Sequence, residues 1–314
     1  MFGFESRTFN RTTPAAMRQG FVSLGIPEGS VICIHSSLRG LGHIVGGPRA
    51  VILALQEAVP GCTIIMPTFP FSGTMLEHIR SQPGPFDPTH TPSKSGLLSE
   101  TLRNMPGTIR GIHPTHSCAA IGPRAQELLE GSENCPTPFG PDSAYGRFAW
   151  DKDAYLLLIN TNNASIVHCI QEKVAMPNLF LDEPALVDGL DEKGRLRTYQ
   201  VSVHQPRVPL YVAMAGKNNK GLQFIWFPDY CLLFPEKHGK DVLEEIENPE
   251  SRDVLLNRHD DFLAQKIYRQ ARIKGCEIMA VHVQPWIERI AGDVASSIAK
   301  VLCVVRHDHP QSLP

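Results

Sequence analysis

The chain has 314 residues, of which 42% are hydrophobic and 20% charged, with a formal net charge of −2 and a pI near 6.7. That length suits one large or two closely fused globular domains, and the charge balance lacks the basic excess of a general nucleic-acid binder. Eight scattered cysteines without a C-x-x-C pair read as buried thiols in a reducing compartment, not as zinc ligands or a disulfide framework.

Residues 12–24 predict a helix, with Thr13 as its N-cap and Pro14 in its first turn. Val31-Ile32-Cys33-Ile34-His35 is a continuous apolar run, the signature of a strand buried on both faces. Residues 48–59 predict the next helix, and Cys62 to Met66 a second buried strand stopped by Pro67. This strand–loop–helix–strand spacing suits a right-handed crossover in a mostly parallel sheet. Residues 67–92 read as loop. A helix over 96–104 is expected, capped by Ser95 or Ser93, then a strand at 117–121 and a short helix over 123–130. Ala154 to Ile159 is a third buried strand, followed by a helix over 165–175 capped by Ser165. Beyond about 186 a hairpin turn is expected from Gly189 to Gly194, and helices over 240–248 and 260–273; the tail after 305 is polar.

Four segments carry candidate chemistry. Ile34-His35-Ser36-Ser37-Leu38 precedes Gly40-Leu41-Gly42 and Gly46-Gly47-Pro48. Ligand sites in open α/β sheets lie beyond the strands' carboxyl ends, and a Ser-Ser turn before a helix offers N–H groups and hydroxyls to phosphate. A polar turn with conformationally required glycines is the plainer reading of the segment alone. Phe86-Asp87-Pro88, Thr91-Pro92-Ser93 and Gly96 form a long irregular connection, the kind that is functional or merely Pro-stiffened. Gly111-Ile112-His113-Pro114-Thr115-His116-Ser117 gathers two histidines and a serine, either catalytic or a structural His-Pro turn. In Ser165-Ile166-Val167-His168, helical spacing brings His168 toward Gln171 or Glu172, an arrangement suited to removing a proton from an amine. A lone helical histidine is more often structural.

Taken in order, these segments resemble the aminoglycoside 3-N-acetyltransferase family over residues 8–175. The match is carried by His35-Ser36-Ser37-Leu38, Gly46-Gly47, Met66-Pro67-Thr68-Phe69, Phe86-Asp87-Pro88 and Thr91-Pro92-Ser93. Gly96, Arg110 with His113 to Ser117, Gly140-Pro141-Asp142-Ser143, Ser165 and His168 continue it. The resemblance implies a three-layer α/β/α fold with a mostly parallel central sheet, distinct from the GNAT acyltransferases, and a divergent C-terminal portion. It implies acetyl-CoA as co-substrate, with His35, Ser36, Ser37, Leu38, Thr68, Ser93, Gly96, His113 and Ser117 as cofactor-binding residues. It also implies direct transfer in a ternary complex, with His168 as general base and Gln171 and Glu172 beside it.

Departures from the family pattern shape the acceptor expectation. The family often has Glu three residues after the base, where this chain has Gln171, with Glu172 one step on. The stretch Glu130-Gly131-Ser132-Glu133-Asn134 lacks the histidine often found there, and Val203-His204-Gln205-Pro206-Arg207 lacks a carboxylate. Beyond 210 little of the pattern is visible. The expectation is an acetyl-CoA-dependent N-acetyltransferase acting on an aminoglycoside or amino-sugar amine, turning over polycationic drugs weakly. A non-catalytic CoA- or sugar-binding homologue is the alternative; a Ser/His hydrolase would need a G-x-S-x-G elbow, which the sequence does not contain. Residues 1–180 are expected to form the CoA-binding and catalytic portion, and 181–314 a divergent acceptor-binding portion of the same compact unit. The expected partner is a small-molecule amine, with no nucleic acid and no membrane, and a homodimer is left open. The N-terminus lacks a secretory h-region and no run approaches the roughly 18 apolar residues of a spanning helix, so a cytoplasmic location is expected.

Overall fold

A computed structural model describes residues 11–161, 164–176, 179–204, 257, 260–292 and 295. In chain order it contains β1 (Arg11–Thr12), α1 (Pro14–Ser23), β2 (Val31–Ser36), β3 (His43–Ile44), α2 (Gly47–Ala58) and β4 (Thr63–Pro67). Next come α3 (Met75–Arg80), α4 (Leu97–Arg103), β5 (Ile109–Arg110), β6 (Cys118–Ile121), α5 (Ala125–Leu129) and α6 (Ala144–Ala149). β7 (Ala154–Ile159), α7 (Val167–Lys173), β8 (Ala185–Leu190), β9 (Leu196–Val201), β10 (Tyr268–Ile273) and β11 (Cys276–His282) follow, and residues 283–292 are helical.

The three apolar runs form the middle of a seven-stranded sheet of order β10-β11-β7-β2-β4-β6-β5. β2 pairs in parallel with both β7 and β4, and antiparallel strands extend this centre on each side. Strand pleating sends alternate side chains to opposite faces. Val31 and Cys33 therefore join the core cluster shared with α5, α6, α7 and the helix over 283–292. Ile32 and Ile34 join the one shared with α1, α2 and α4. Helices thus cover both faces in three layers, as the buried strands require.

Local chemistry explains most boundaries. Thr13 caps α1 by accepting from the Ala16 N–H, with Pro14 at the first position. Thr74 and Glu77 form a reciprocal capping box at α3. The caps expected for two other helices are replaced. Gly96 caps α4, because the Ser95 hydroxyl accepts from the Phe69 N–H and the Ser93 hydroxyl from the Ser95 N–H. Ile166, not Ser165, occupies the N-cap of α7, and no side chain bonds there. The 189–194 turn joins β8 to β9 as a hairpin, tied by Asp191 to Arg195.

The helix expected over 260–273 is corrected: only residues 260–264 are helical, and Tyr268–Ile273 is β10. Its backbone pairs along its whole length with β11, across a turn at Lys274-Gly275. β11 pairs in turn with β7, so the strand gains a ladder that a surface helix could not supply. The buried Trp286 indole N–H donates to the Tyr268 hydroxyl and fixes this edge against the 283–292 helix. The helix expected over 240–248 and the tail after 305 lie outside the described residues. Cys33, Cys62, Cys118, Cys135, Cys169 and Cys276 are buried free thiols. No helix among the described residues is long and apolar enough to cross a membrane.

Gly146 in α6 lies so close to the 140–141 turn that an added Cβ would stand 1.9 Å from the Gly140 carbonyl oxygen. The same turn anchors Ser143, whose hydroxyl donates to that carbonyl and accepts from the Gly146 N–H. Gly146→Ala is expected to cost about 1–3 kcal/mol of unfolding free energy by overpacking. Gly84→Ala, with nothing within 4 Å, should be near neutral. Urea unfolding of the two variants checks this; an unshifted midpoint for Gly146→Ala would refute the contact.

Candidate active site

The carboxyl ends of β2 and β7 open into a cavity of about 470 Å³. Its wall draws on seven parts of the chain. β2 supplies Ile34, His35 and Ser36, and the segment after β4 supplies Phe69 and Phe71. Ser95, Gly96, Leu98 and Ser99 come from the start of α4, Ser165 and His168 from the turn into α7 and its first residues, and His116, Phe139 and His204 from three further segments. The wall is made of rings, hydroxyls and apolar side chains.

The sequence singled out twelve residues, and the structure sorts them. His35, Ser36, Gly96 and His168 line the cavity. Ser37 donates its N–H to the Ile159 carbonyl, and Leu38 starts a short 3-10 turn behind the wall. Thr68 and Ser117 are buried and bonded to each other at 3.0 Å, and both accept from Arg110 Nε. Arg110 also donates to the carbonyls of Thr68, Pro88 and Thr91, clamping the long loop to the sheet. The Ser93 N–H donates to Glu100. His113 Nδ1 accepts from the N–H groups of Thr115 and His116, at 3.2 and 2.9 Å. These polar groups spend their bonding capacity on one another, as buried groups must.

His168 and its neighbours are separated by helical phase. His168 Nδ1 lies 2.7 Å from the Gln171 carboxamide oxygen. An amide oxygen only accepts, so Nδ1 carries the proton and the lone pair is left on Nε2. Glu172, one residue on, faces another way. Its carboxylate accepts from the Thr137 hydroxyl, from the Phe139 N–H at 3.1 Å, and from His204 Nε2 at 3.1 Å. Sequence reasoning missed His204. Its only signal was the isolated His in Val203-His204-Gln205, and its partner lies 32 residues earlier.

The Phe139 ring holds the cluster together. Its centroid is 4.8 Å from that of His168, 5.1 Å from His116 and 5.5 Å from His204. The His168 and His204 rings stand nearly perpendicular at 5.0 Å. Burial pushes His168 down to about 4, with the charge of His204 acting in the same direction and the Gln171 bond opposing. Burial likewise lowers His35 and His113 to about 4 and depresses His116. His35 Nε2 is buried without a hydrogen-bond partner.

A family model described as aminoglycoside 3-N-acetyltransferase matches residues 33–291, well beyond residue 175, where recognisable motifs stop. The match takes in β10 and β11, in the region where the sequence shows little of the family pattern. The chain is 27% identical over 197 residues to aminoglycoside N(3)-acetyltransferase VIII of Streptomyces fradiae, covering 57% of this chain and 68% of that protein. It is 30% identical over 179 residues to aminoglycoside N(3)-acetyltransferase III of a Salmonella species, covering 53% and 62%. The fold is similar to that of AAC-IIIb solved as a binary complex with CoASH, with a TM-score of 0.61 and 18% identity over 97% of this chain and all of that one. It is also similar to AAC-VIa bound to sisomicin, with a TM-score of 0.56 and 21% identity over 93% and 98%.

The depressed histidines set a pH dependence. Their folded values, about 4 for His35, His113 and His168, lie below the ordinary 6.5, so the unfolded chain binds more protons between those limits. Their contribution is intact above 6.5 and is lost as pH falls toward 4, by up to about 1.4 kcal/mol per pH unit for each group. Urea unfolding followed from neutral pH down to about pH 5 should show falling stability. A stability that holds or rises across that window would mean these imidazoles are not held neutral.

Proposed function

We propose a reaction for the chain from one premise: it belongs to the aminoglycoside 3-N-acetyltransferase family. The reaction is direct transfer of an acetyl group from acetyl-CoA to a small-molecule amine, both held at once in the cavity, with His168 as general base. The observation that carries this reading is the His168–Gln171 bond, which fixes the tautomer and leaves the Nε2 lone pair available on a residue of the cavity wall. Its position just past β7, at the carboxyl end of a parallel strand, is where α/β sheets collect reactive groups.

The wall suits a thioester arm. Met66, Met75, Leu98 and the Phe69 and Phe71 rings give it apolar surface, and Ser36, Ser95, Ser99 and Ser165 give hydroxyls within the same space. Gly96 adopts φ +118°, so its backbone lies bare at the wall where a side chain would be strained. We assign Ser36, His35 and Gly96 to co-substrate contact, and Thr68, Ser93, His113 and Ser117 to the polar layer that positions them. Holding donor and acceptor together supplies much of the advantage in such a transfer.

Among the described residues the wall carries no carboxylate. Ammonium groups taken out of water need partners. An amino sugar with one amine therefore fits this surface better than a polycation.

Release of free CoA thiol, measured with acetyl-CoA and a panel running from glucosamine to gentamicin, tests the reading. Turnover is expected, higher with the less charged acceptors. His168→Asn should lower kcat by about 10²–10⁴-fold while CoA binding persists. Binding of CoA with no acetylation of any amine would favour a non-catalytic homologue, and a His168→Asn variant with unchanged kcat would remove His168 from the base role.

A further inference from the structure

Four histidines line this cavity, and two of them, His168 and His204, are held by partners of different charge. His168 is held by a neutral carboxamide, His204 by a carboxylate that also accepts from a hydroxyl and a backbone N–H. The side chains of His204 and Glu172 are only 12% and 9% exposed, so little water screens the pair. With Nε2 donating to Glu172, the lone pair of His204 is on Nδ1.

An acceptor ammonium must lose two protons to become an amide, one before attack and one after. We propose that the two histidines divide these protons: His204, backed by Glu172, takes the first, and His168, backed by Gln171, takes the second. The inference deepens the acetyl-transfer reading and rests on it. In the first step His204 Nδ1 removes a proton from the ammonium and frees the nitrogen lone pair. That pair forms the C–N bond to the thioester carbonyl carbon, and the carbonyl π electrons move to oxygen. The nitrogen of the adduct is now positively charged, and His168 Nε2 removes its second proton. The oxygen pair re-forms C=O, the C–S bond breaks, and the departing thiolate takes the proton from His168. One proton remains on His204 and leaves to solvent.

Partner chemistry matches this order. A carboxylate bonded to Nε2 faces the positive charge the His204 ring gains as it takes a proton, which suits it to the first deprotonation. A carboxamide orients without adding charge, so protonated His168 is the better acid for a thiolate. The adduct nitrogen is far more acidic than a free ammonium, because it bears a carbon carrying oxygen and sulfur. The two roles also reinforce each other, since a proton on His204 disfavours one on His168, 5.0 Å away between ring centroids. The groups facing the pair from the surrounding elements are Gln171 and Glu172 of α7, Phe139, Phe180 and His116. Glu172 is the one carboxylate bonded to either ring among the described residues.

Two measurements test the division. Histidine ring nitrogen NMR of the full chain should show His204 holding its proton on Nε2 and His168 holding its proton on Nδ1. The pH profile of kcat/KM, read with the best acceptor of the panel, separates the roles. Glu172→Gln and His204→Asn should lose roughly 10²-fold near neutral pH and recover as the solvent deprotonates the ammonium. His168→Asn should stay low at every pH. Should Glu172→Gln fail to fold, His204→Asn, which leaves Glu172 its two other donors, carries the comparison. A pH-independent loss in the His204 and Glu172 variants, or a His204 ring protonated on Nδ1, would reduce the pair to a structural tie while leaving acetyl transfer standing. Absence of acetylation with any amine would remove both readings.

Discussion

The arrangement of the site depends on one buried carboxylate. Glu172 is largely withdrawn from water, and a charge in that position must be matched by donors. The donors it finds come from two distant stretches: the Thr137 hydroxyl and Phe139 N–H of the loop before α6, and the His204 imidazole after β9. Satisfying one charge therefore draws a loop, a helix and a strand end to a single point. Phe139 is carried there by its own N–H bond, and its ring then sets the spacing of His116, His168 and His204. The geometry of the histidines follows from a desolvation demand rather than from contacts the histidines make with one another.

The sheet determines where that point can be. β2, β4 and β7 are apolar on both faces, so each must be covered twice, and their parallel pairing leaves their carboxyl ends in register. Strand alternation puts His35 on the face of Val31 and Cys33, the side on which α7 packs. The register places His35 opposite Leu158 and Ser36 opposite Ile159, so the end of β2 meets the turn that leads to α7. The cavity opens where the covering helices begin and the strands have ended.

The parts of this legible in the sequence are those written in local periodicity. Continuous apolar runs announced β2, β4 and β7, and Thr13-Pro14 announced α1, because strands buried on both faces and helix caps are local statements. β10 was not legible. Leu263 and Ile267 are four residues apart, as on one helix face, and the ladder to β11 overrides that local pattern. The site was partly legible for a related reason. Thr68, Arg110, His113 and Ser117 are polar residues clustered near the strand ends, and scaffold and ligand chemistry use the same residue types. The structure shows them bonded to each other, with Arg110 as the cross-link. His204 was hidden because its meaning comes from Glu172, which lies far away in sequence.

The same helix explains why this chain can differ from its family pattern without losing a carboxylate. Successive residues on an α-helix are turned by about 100°. Where the family often has Glu three positions after the base, this chain has Gln171, and its Glu stands one position later. Moving a carboxylate by one residue carries it off the face that His168 shares with Gln171 and onto the side where Thr137, Phe139 and His204 lie. The charge that would have backed one histidine now backs another, and the position left behind keeps an acceptor that orients without ionising. The exchange keeps two oriented imidazoles, from a change that in sequence looks like the loss of an acid.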